Sequence, residues 1–142
     1  MKHTSFLCLL LGALLATACT TSADSSSANP LAPSGPLATD AFSGTVDVGG
    51  SDSHTFSVTL SGGQLNVDLT AAGPPTTIYM GVGIGTPTAG SCSLLGSSQV
   101  LTQAGTTAQL TGTVNAGAYC VAVFDAGNQT AQIAYSVTVT HY

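Results

Sequence analysis

Alternation between apolar and polar residues is the feature that most limits what this chain can fold into. It is clearest in two neighbouring runs, with the apolar side chains Phe56, Val58 and Leu60 in the first and Leu65, Val67 and Leu69 in the second. A period of two residues is typical of a half-buried β-strand. Because Ser61-Gly62-Gly63 separates the two runs, we expect a hairpin that pairs them antiparallel.

Further strand-like runs follow at similar spacing along the rest of the chain. They cover residues 42–48, 77–84, 99–103, 108–114, 118–124 and 133–140. Residues 119–124 are apolar on both phases apart from Cys120, which predicts a central strand covered by a second sheet. No run of ten residues beyond the N-terminal segment has helical periodicity. The sequence therefore predicts an all-β, antiparallel sandwich or barrel of about eight strands.

The N-terminal segment has the pattern of an export signal. A short basic start, Met1-Lys2-His3, precedes an apolar run over residues 6–18, which is too short for the roughly 20 residues of a membrane-spanning helix. We therefore predict a signal peptide at residues 1–18. Leu15-Ala16-Thr17-Ala18-Cys19 resembles the lipobox of bacterial lipoproteins, which implies lipidation of Cys19 and a lipid-anchored position in the cell envelope, at the outer membrane or cell surface. Lipoboxes usually have Leu where Ala16 stands, so ordinary cleavage and secretion remain the alternative.

Residues 19–40 are rich in Ser and then in Pro and have no apolar period. Such a stretch buries too little surface to offset the entropy of ordering it. We predict a flexible, disordered tether over residues 19–40, with the folded domain at residues 41–142.

The four cysteines divide between the signal and the domain. Cys8 lies inside the signal and Cys19 at its end, which leaves Cys92 and Cys120 as a pair. We predict a disulfide between these two cysteines, in an oxidising compartment. The loop that it closes should stabilise the fold by about 3 to 4 kcal/mol. A free thiol at Cys19 would be disfavoured there, and this favours lipidation.

Charge excludes several classes of partner. Lys2 is the single basic residue, Arg and Glu are absent, and the net charge is −5 at pH 7. Binding to nucleic acid relies on clusters of Lys and Arg, so nucleic-acid partners are excluded. For the same reason we expect no salt bridges within the mature domain.

Several segments together resemble bacterial pre-peptidase C-terminal domains. They are residues 42–46, 50–58, 65–69, 116–125 and 135–139, in that order. The resemblance implies a jelly-roll-like sandwich that serves as an accessory module beside secreted hydrolases and sometimes binds calcium or extracellular polymers. No peptidase accompanies the domain in this sequence, so we expect any partner to be a separate molecule.

Catalytic residues are scarce. After removal of the signal, His54 and His141 are the remaining histidines, and His54 shares the phase of the apolar Phe56. No G-x-S-x-G turn is present. We therefore predict a non-catalytic protein that requires no cofactor.

Calcium is the one metal for which the sequence offers candidate ligands. Asp125 and Asn128 lie in one Gly-containing loop, and Asp47 and Asp52 flank another. Alternatively, these residues serve as turn formers. The same regions, residues 49–53 and 125–130 with 85–92, form the candidate binding surface, in particular Gly49, Ser51, Asp52, Asp125 and Asn128.

Two functions are consistent with these observations. The first is a lipid-anchored, extracytoplasmic binding module that presents a sandwich to an envelope protein or extracellular polysaccharide. The alternative is a structural envelope protein that assembles through exposed strand edges, because no Lys protects those edges. For the three alternating glycines Gly81, Gly83 and Gly85 we expect a role in close packing or strand bending rather than in a phosphate loop.

Overall fold

The computed structural model describes residues 35–142, which form eight β-strands and no helix. The strands are β1 (Ala38–Val46), β2 (Ser51–Val58), β3 (Gly63–Gly73), β4 (Met80–Thr88), β5 (Ser91–Thr102), β6 (Leu110–Val114), β7 (Gly117–Asp125) and β8 (Ile133–His141). The all-β prediction is confirmed. The predicted signal peptide, Cys19 and most of the predicted tether lie outside the described residues. In the described part of the chain, no helix is long and apolar enough to span a membrane.

The strands form two four-stranded sheets. The first sheet has the order β1-β8-β3-β6 and the second sheet the order β2-β7-β4-β5, with every pairing antiparallel. Apart from the β4–β5 hairpin, each connection carries the chain from one sheet to the other. This is the strand order of a jelly roll, as the sequence resemblance implied.

The core lies between the two sheets and follows the predicted alternation. Strands β1, β2, β3, β4, β7 and β8 each turn every second side chain inward. The most deeply buried of these side chains are Val46, Val67, Leu69, Met80, Val82, Val121, Val123, Ile133, Val137 and Val139.

The predicted pairing of β2 with β3 is wrong. β2 pairs with β7, whereas β3 pairs with β8 and β6. The Ser61-Gly62-Gly63 segment therefore crosses between sheets, with Gly62 at a φ of 77° and its N–H bonded to the Val114 carbonyl at 2.9 Å. Alternation defines which face of each strand is buried but does not define which strand lies beside it.

Two predicted boundaries also change. β1 begins at Ala38, inside the predicted tether, because residues 38–40 pair with the end of β8. The predicted loop at residues 85–92 belongs mostly to the β4–β5 hairpin, which turns at Gly90 with a φ of 84°. Alternation is lost here because the pairing shifts register: Gly83 lies opposite Gln99, and Gly85 lies opposite Leu94.

Candidate functional site

The outer face of the second sheet has an unusual surface. Alternate positions of β4 point outward and are occupied by Gly81, Gly83 and Gly85. Neighbouring groups fill the space: an added Cβ would overlap the Phe124 ring at Gly81 and the Ser93 backbone at Gly85. The prediction that these glycines serve close packing is confirmed.

A disulfide holds the end of the β4–β5 hairpin against this face. Cys92 of β5 is bonded to Cys120 of the central strand β7, with their Cα atoms 5.8 Å apart. The predicted disulfide is therefore confirmed, as is the central position of β7. The prediction that the second sheet covers β7 holds for one face of the strand only. Cys120 and Ala122 point outward and are covered on the hairpin side, whereas Val121 and Val123 face the other sheet.

The turn of the hairpin reaches across to β2 and encloses a small polar cavity. Its volume is about 240 Å³, and it is lined by Ser51, Asp52, Ser53, Gly90, Ser91, Cys92 and Ala122. Two of the three predicted binding regions, residues 49–53 and 85–92, therefore meet here.

An apolar surface lies on the same face. Phe124, which pairs with Ser51 at the cavity, also lines a cavity of about 300 Å³ with Gln99, Val100 and Leu101. Leu101 is 59% exposed, and Tyr79, just before β4, is 52% exposed. We use the name outer-face patch for this surface and its polar neighbour: Tyr79, Leu101, Phe124, Ser51, Ser53 and Ser91.

The third predicted region, residues 125–130, is joined to the β1–β2 connection by Asp125. One carboxylate oxygen accepts the Gly49 N–H at 2.8 Å, and the other accepts the N–H groups of Gly127, Asn128 and Gln129 at 2.8–3.3 Å. The Gly49 N–H is the main reason that the pKa of Asp125 lies below its ordinary value, and the other three N–H groups add to this effect. Asp125 thereby fixes the loop beside the outer-face patch.

The other carboxylates predicted to bind calcium also have protein partners. Asp47 accepts a hydrogen bond from the Gln132 amide at 2.7 Å, and Asp52 accepts one from the Tyr135 hydroxyl at 2.8 Å. Within residues 35–142, no three His, Cys, Asp or Glu side chains are gathered closely enough to hold a metal ion. Calcium binding at Asp47, Asp52, Asp125 and Asn128 stays a prediction.

A second polar cluster lies where the edge strands β1 and β2 meet. The Tyr135 hydroxyl donates to Asp52 and lies 2.9 Å from His54 Nε2, and His54 Nε2 lies 3.6 Å from Asp52 Oδ2. The His54 ring stacks on Phe42, with centroids 4.8 Å apart and planes 4° from parallel. Burial, together with the hydrogen bond to Asp52, raises the pKa of Tyr135 well above its ordinary value, so the phenol is neutral at physiological pH.

The other histidine lies further along the same junction. His141 is nearly buried, its Nε2 lies 2.9 Å from Asp40 Oδ2, and its ring packs on Phe56 with centroids 5.3 Å apart. We call this junction the polar seam: Asp40, Phe42, Asp52, His54, Tyr135 and His141. Two His–Asp pairs lie within ion-pair distance and are salt bridges only when the histidine is protonated, a case that the prediction of no salt bridges did not cover. That prediction considered Lys and Arg and omitted histidine.

The polar seam does not have the arrangement of a serine hydrolase. His54 lies between a carboxylate and a phenol, and no serine hydroxyl is among its hydrogen-bond partners in the described structure. The high pKa of Tyr135 also makes its phenolate rare at neutral pH, so this group is a poor nucleophile or base.

A further surface depression lies on the first sheet. It has a volume of about 450 Å³ and is lined mainly by small or apolar side chains, including Ala71, Gly73, Pro74 and Ala134. Few polar groups face it, so it offers little to orient a ligand.

Sequence reasoning missed two features of these sites. Tyr135 lies 81 residues from His54, and its core-like phase gave no sign of a polar contact. Phe124 was assigned to a buried strand, although it lies partly exposed on the outer face.

Comparison with known proteins identifies no family. No family model and no curated protein matches the chain. The chain is similar to the crystal structure of Aeromonas hydrophila PliG, a periplasmic lysozyme inhibitor of g-type lysozyme, with 15% identity and a TM-score of 0.47 over 73% of this chain and 86% of that chain. This similarity is too weak to transfer a partner or an activity. The resemblance to pre-peptidase C-terminal domains is therefore not confirmed.

Proposed function

We propose that this protein is an extracytoplasmic, non-catalytic binding module, anchored to the cell envelope through a lipid on Cys19. In this proposal the outer-face patch contacts an envelope protein or an extracellular polysaccharide. In this proposal the protein holds a partner and does not catalyse a reaction.

The chemistry of the outer-face patch is the observation that carries this proposal. Exposed Leu101 and Tyr79 supply apolar contact area, and the adjacent cavity supplies the hydroxyl groups of Ser51, Ser53 and Ser91. Exposed apolar groups rimmed by polar groups are typical of binding surfaces.

Rigidity supports the same proposal. The Cys92–Cys120 disulfide holds the hairpin, and the four N–H contacts of Asp125 hold the neighbouring loop. A surface that is already ordered loses less entropy when it binds.

Charge narrows the class of partner. The domain has no Lys or Arg, so no permanently charged cation is present to pair with acidic polymers. A neutral polysaccharide, or a protein surface without a strongly acidic patch, therefore suits the outer-face patch best.

The proposed location depends on the sequence pattern at residues 1–19 and on cysteine chemistry. A disulfide such as Cys92–Cys120 persists in oxidising compartments outside the cytoplasm. Cleavage without lipidation would give a secreted protein with the same binding face.

Assembly through strand edges is the second candidate function. β6 has five residues, pairs with β3 along one side only, and carries no charged side chain. Unprotected edges of this kind accept an added strand from another chain.

Capture of partners tests the proposed function. The chain from residue 19 onward, with Cys19→Ser to prevent lipidation, is immobilised through a C-terminal tag and exposed to solubilised envelope and to neutral polysaccharides. Leu101→Ser should lower retention of the partner about tenfold, because it removes a central apolar contact. Leu37→Ser is the matched control, because Leu37 is 58% exposed and lies outside the outer-face patch.

The outcomes separate the candidate functions. Equal loss in both variants, or no capture at all, contradicts a binding role for the outer-face patch. Concentration-dependent oligomers that disappear when a proline is placed in β6 support strand-edge assembly instead. Elution by EDTA supports the calcium ligands predicted from the sequence, whereas retention through EDTA contradicts them.

A further inference from the structure

Three metal-binding side chains converge at the polar seam. His54 Nε2, Asp52 Oδ2 and Tyr135 Oη form a triangle with sides of 2.8, 2.9 and 3.6 Å. Donor atoms bonded to one first-row metal at about 2.0–2.2 Å lie roughly 3.0–3.4 Å apart. The triangle therefore has close to the size needed for one ion to contact all three atoms.

We propose that Asp52, His54 and Tyr135 form a binding site for a transition-metal ion, with Cu²⁺ as the divalent ion bound most tightly. One nitrogen and two oxygen donors suit Cu²⁺, which heads the affinity order of the divalent first-row ions. The three side chains leave the remaining coordination positions to water or to a ligand.

The site is both accessible and ordered. The side chains of His54 and Asp52 are 28% and 33% exposed, so an ion can reach them from solvent. Phe42 fixes the plane of the His54 ring by stacking on it. Gly44 makes the arrangement possible, because an added Cβ would overlap Asp52 Oδ2 and come within 3.0 Å of Tyr135 Oη.

Binding replaces the hydrogen bonds of the cluster. The O–H bond of Tyr135 breaks, its proton passes to solvent, and the phenolate oxygen bonds to Cu²⁺. His54 binds through Nε2 with its hydrogen on Nδ1. No electron is transferred, so the ion remains Cu²⁺ throughout.

This site and the proposed binding surface share only Asp52, which also lines the polar cavity. The triangle lies between the sheets at the β1–β2 edge, whereas the outer-face patch lies on the outside of the second sheet. Substitution of Leu101 therefore leaves the metal site unchanged, and failure of either proposal leaves the other standing.

The experiment is a Cu²⁺ titration of the chain from residue 19 onward with Cys19→Ser, with glycine as a competing ligand. This chain contains all of residues 35–142 and lacks His3 and Cys8, which would bind copper themselves. We expect one Cu²⁺ per chain by native mass spectrometry and a visible phenolate-to-copper charge-transfer band. Tyr135→Phe should abolish the band, and Tyr135→Phe and His54→Gln should each weaken binding by about tenfold or more. Tyr79→Phe, an exposed tyrosine elsewhere, is the matched control and should change neither.

A second measurement leaves the three ligand residues unchanged, so it does not depend on whether a variant folds. Only two histidines remain in this chain, His54 and His141, so their ring protons are readily distinguished by NMR. Paramagnetic Cu²⁺ should broaden the His54 signals first. Broadening of His141 first, absence of one-to-one binding at micromolar Cu²⁺, or an unchanged band in Tyr135→Phe would overturn the proposal.

Discussion

The two open sides of the sandwich are closed in opposite ways. At the β1–β2 side, the polar seam joins the sheets through Tyr135, Asp52 and His54. At the β5–β6 side, a cavity of about 100 Å³ is lined mainly by apolar side chains, and we call this side the apolar seam: Leu65, Ile84, Leu95, Leu110 and Val114. A jelly roll leaves edge strands on both sides. On each side, the unpaired backbone N–H and C=O groups of these strands must be hydrogen-bonded or covered.

The difference concerns what each seam provides. Apolar contacts at the apolar seam stabilise by removing surface from water and do not depend on pH. Hydrogen bonds at the polar seam contribute less net stability, because both partners exchange bonds with water on unfolding. They do place titratable groups in a fixed geometry. We infer that the apolar seam mainly stabilises the fold, whereas the polar seam is the side whose groups can exchange protons or bind a metal ion.

The largest effect should come from the apolar seam. Ile84→Ala removes a side chain that is 3% exposed, and we expect it to lower the free energy of unfolding by about 2–5 kcal/mol. Leu95→Ala is the matched change at the rim, where the side chain is 40% exposed, and should cost clearly less. Urea denaturation at pH 5 and pH 8 should give the same difference for each variant. A cost for Ile84→Ala that varies with pH would contradict an apolar role.

At the polar seam, Tyr135→Phe should have a smaller effect. Loss of the hydroxyl removes its hydrogen bonds with Asp52 and His54, which remain partly accessible to water, so we expect a cost of about 1 kcal/mol at pH 7. Urea denaturation of both proteins provides the measurement.

The sign of the pH dependence follows from the raised pKa of Tyr135. The folded protein keeps the phenol protonated, whereas the unfolded chain ionises near the ordinary value of 10.0. The contribution of this group is therefore complete below pH 10 and is lost as the pH rises further. The cost of Tyr135→Phe should shrink between pH 9 and pH 11. A constant cost over that range would show that the phenol titrates normally.

The smallest effect on stability should come from substitutions in the loops at the ends of the two seams. Asp125→Asn weakens the contact that holds Gly49 of the β1–β2 connection against the loop at residues 125–130, and it should lower Tm slightly at pH 6. The pKa of Asp125 is lowered in the folded state, so the contribution of its carboxylate is complete above the unfolded value of 3.8 and is lost as the pH falls through the folded value. The Tm difference between the wild type and Asp125→Asn should therefore close below pH 3.8.

The matched change on the other side is Gln109→Ala. The Gln109 side chain accepts the Leu69 N–H at 2.6 Å near the apolar seam and carries no charge. Its effect on Tm should be the same at pH 6 and at acidic pH. A Tm difference for Asp125→Asn that persists in acid would contradict the role of its carboxylate.

Most of the fold could be predicted because burial leaves a local signal. The alternation of Phe56 with Val58 and of Leu65 with Val67 identifies strands and their inner faces. Strand neighbours leave no such signal, so the pairing of β2 with β7 was missed. The disulfide was predictable, because the domain contains two cysteines.

Less of the candidate site could be predicted, because it depends on contacts between distant residues. Residues 49–53, of which 51–53 belong to β2, and residues 125–130 lie mostly at the surface, and the structure joins them through Asp125 and Gly49. The position of the hairpin follows from the register shift after Gly83, which alternation does not encode. The contact of Tyr135 with His54 depends on the order of strands in both sheets.

The binding role of the outer-face patch is the central claim, and hydroxyl-radical footprinting of the captured complex tests it most directly. Oxidation is measured at Leu101 and Tyr79, and at Leu37 as an equally exposed reference, with and without the partner. We expect the partner to protect Leu101 and Tyr79 and to leave Leu37 unchanged. Protection of Leu37 with continued oxidation of Leu101 and Tyr79 would contradict the claim.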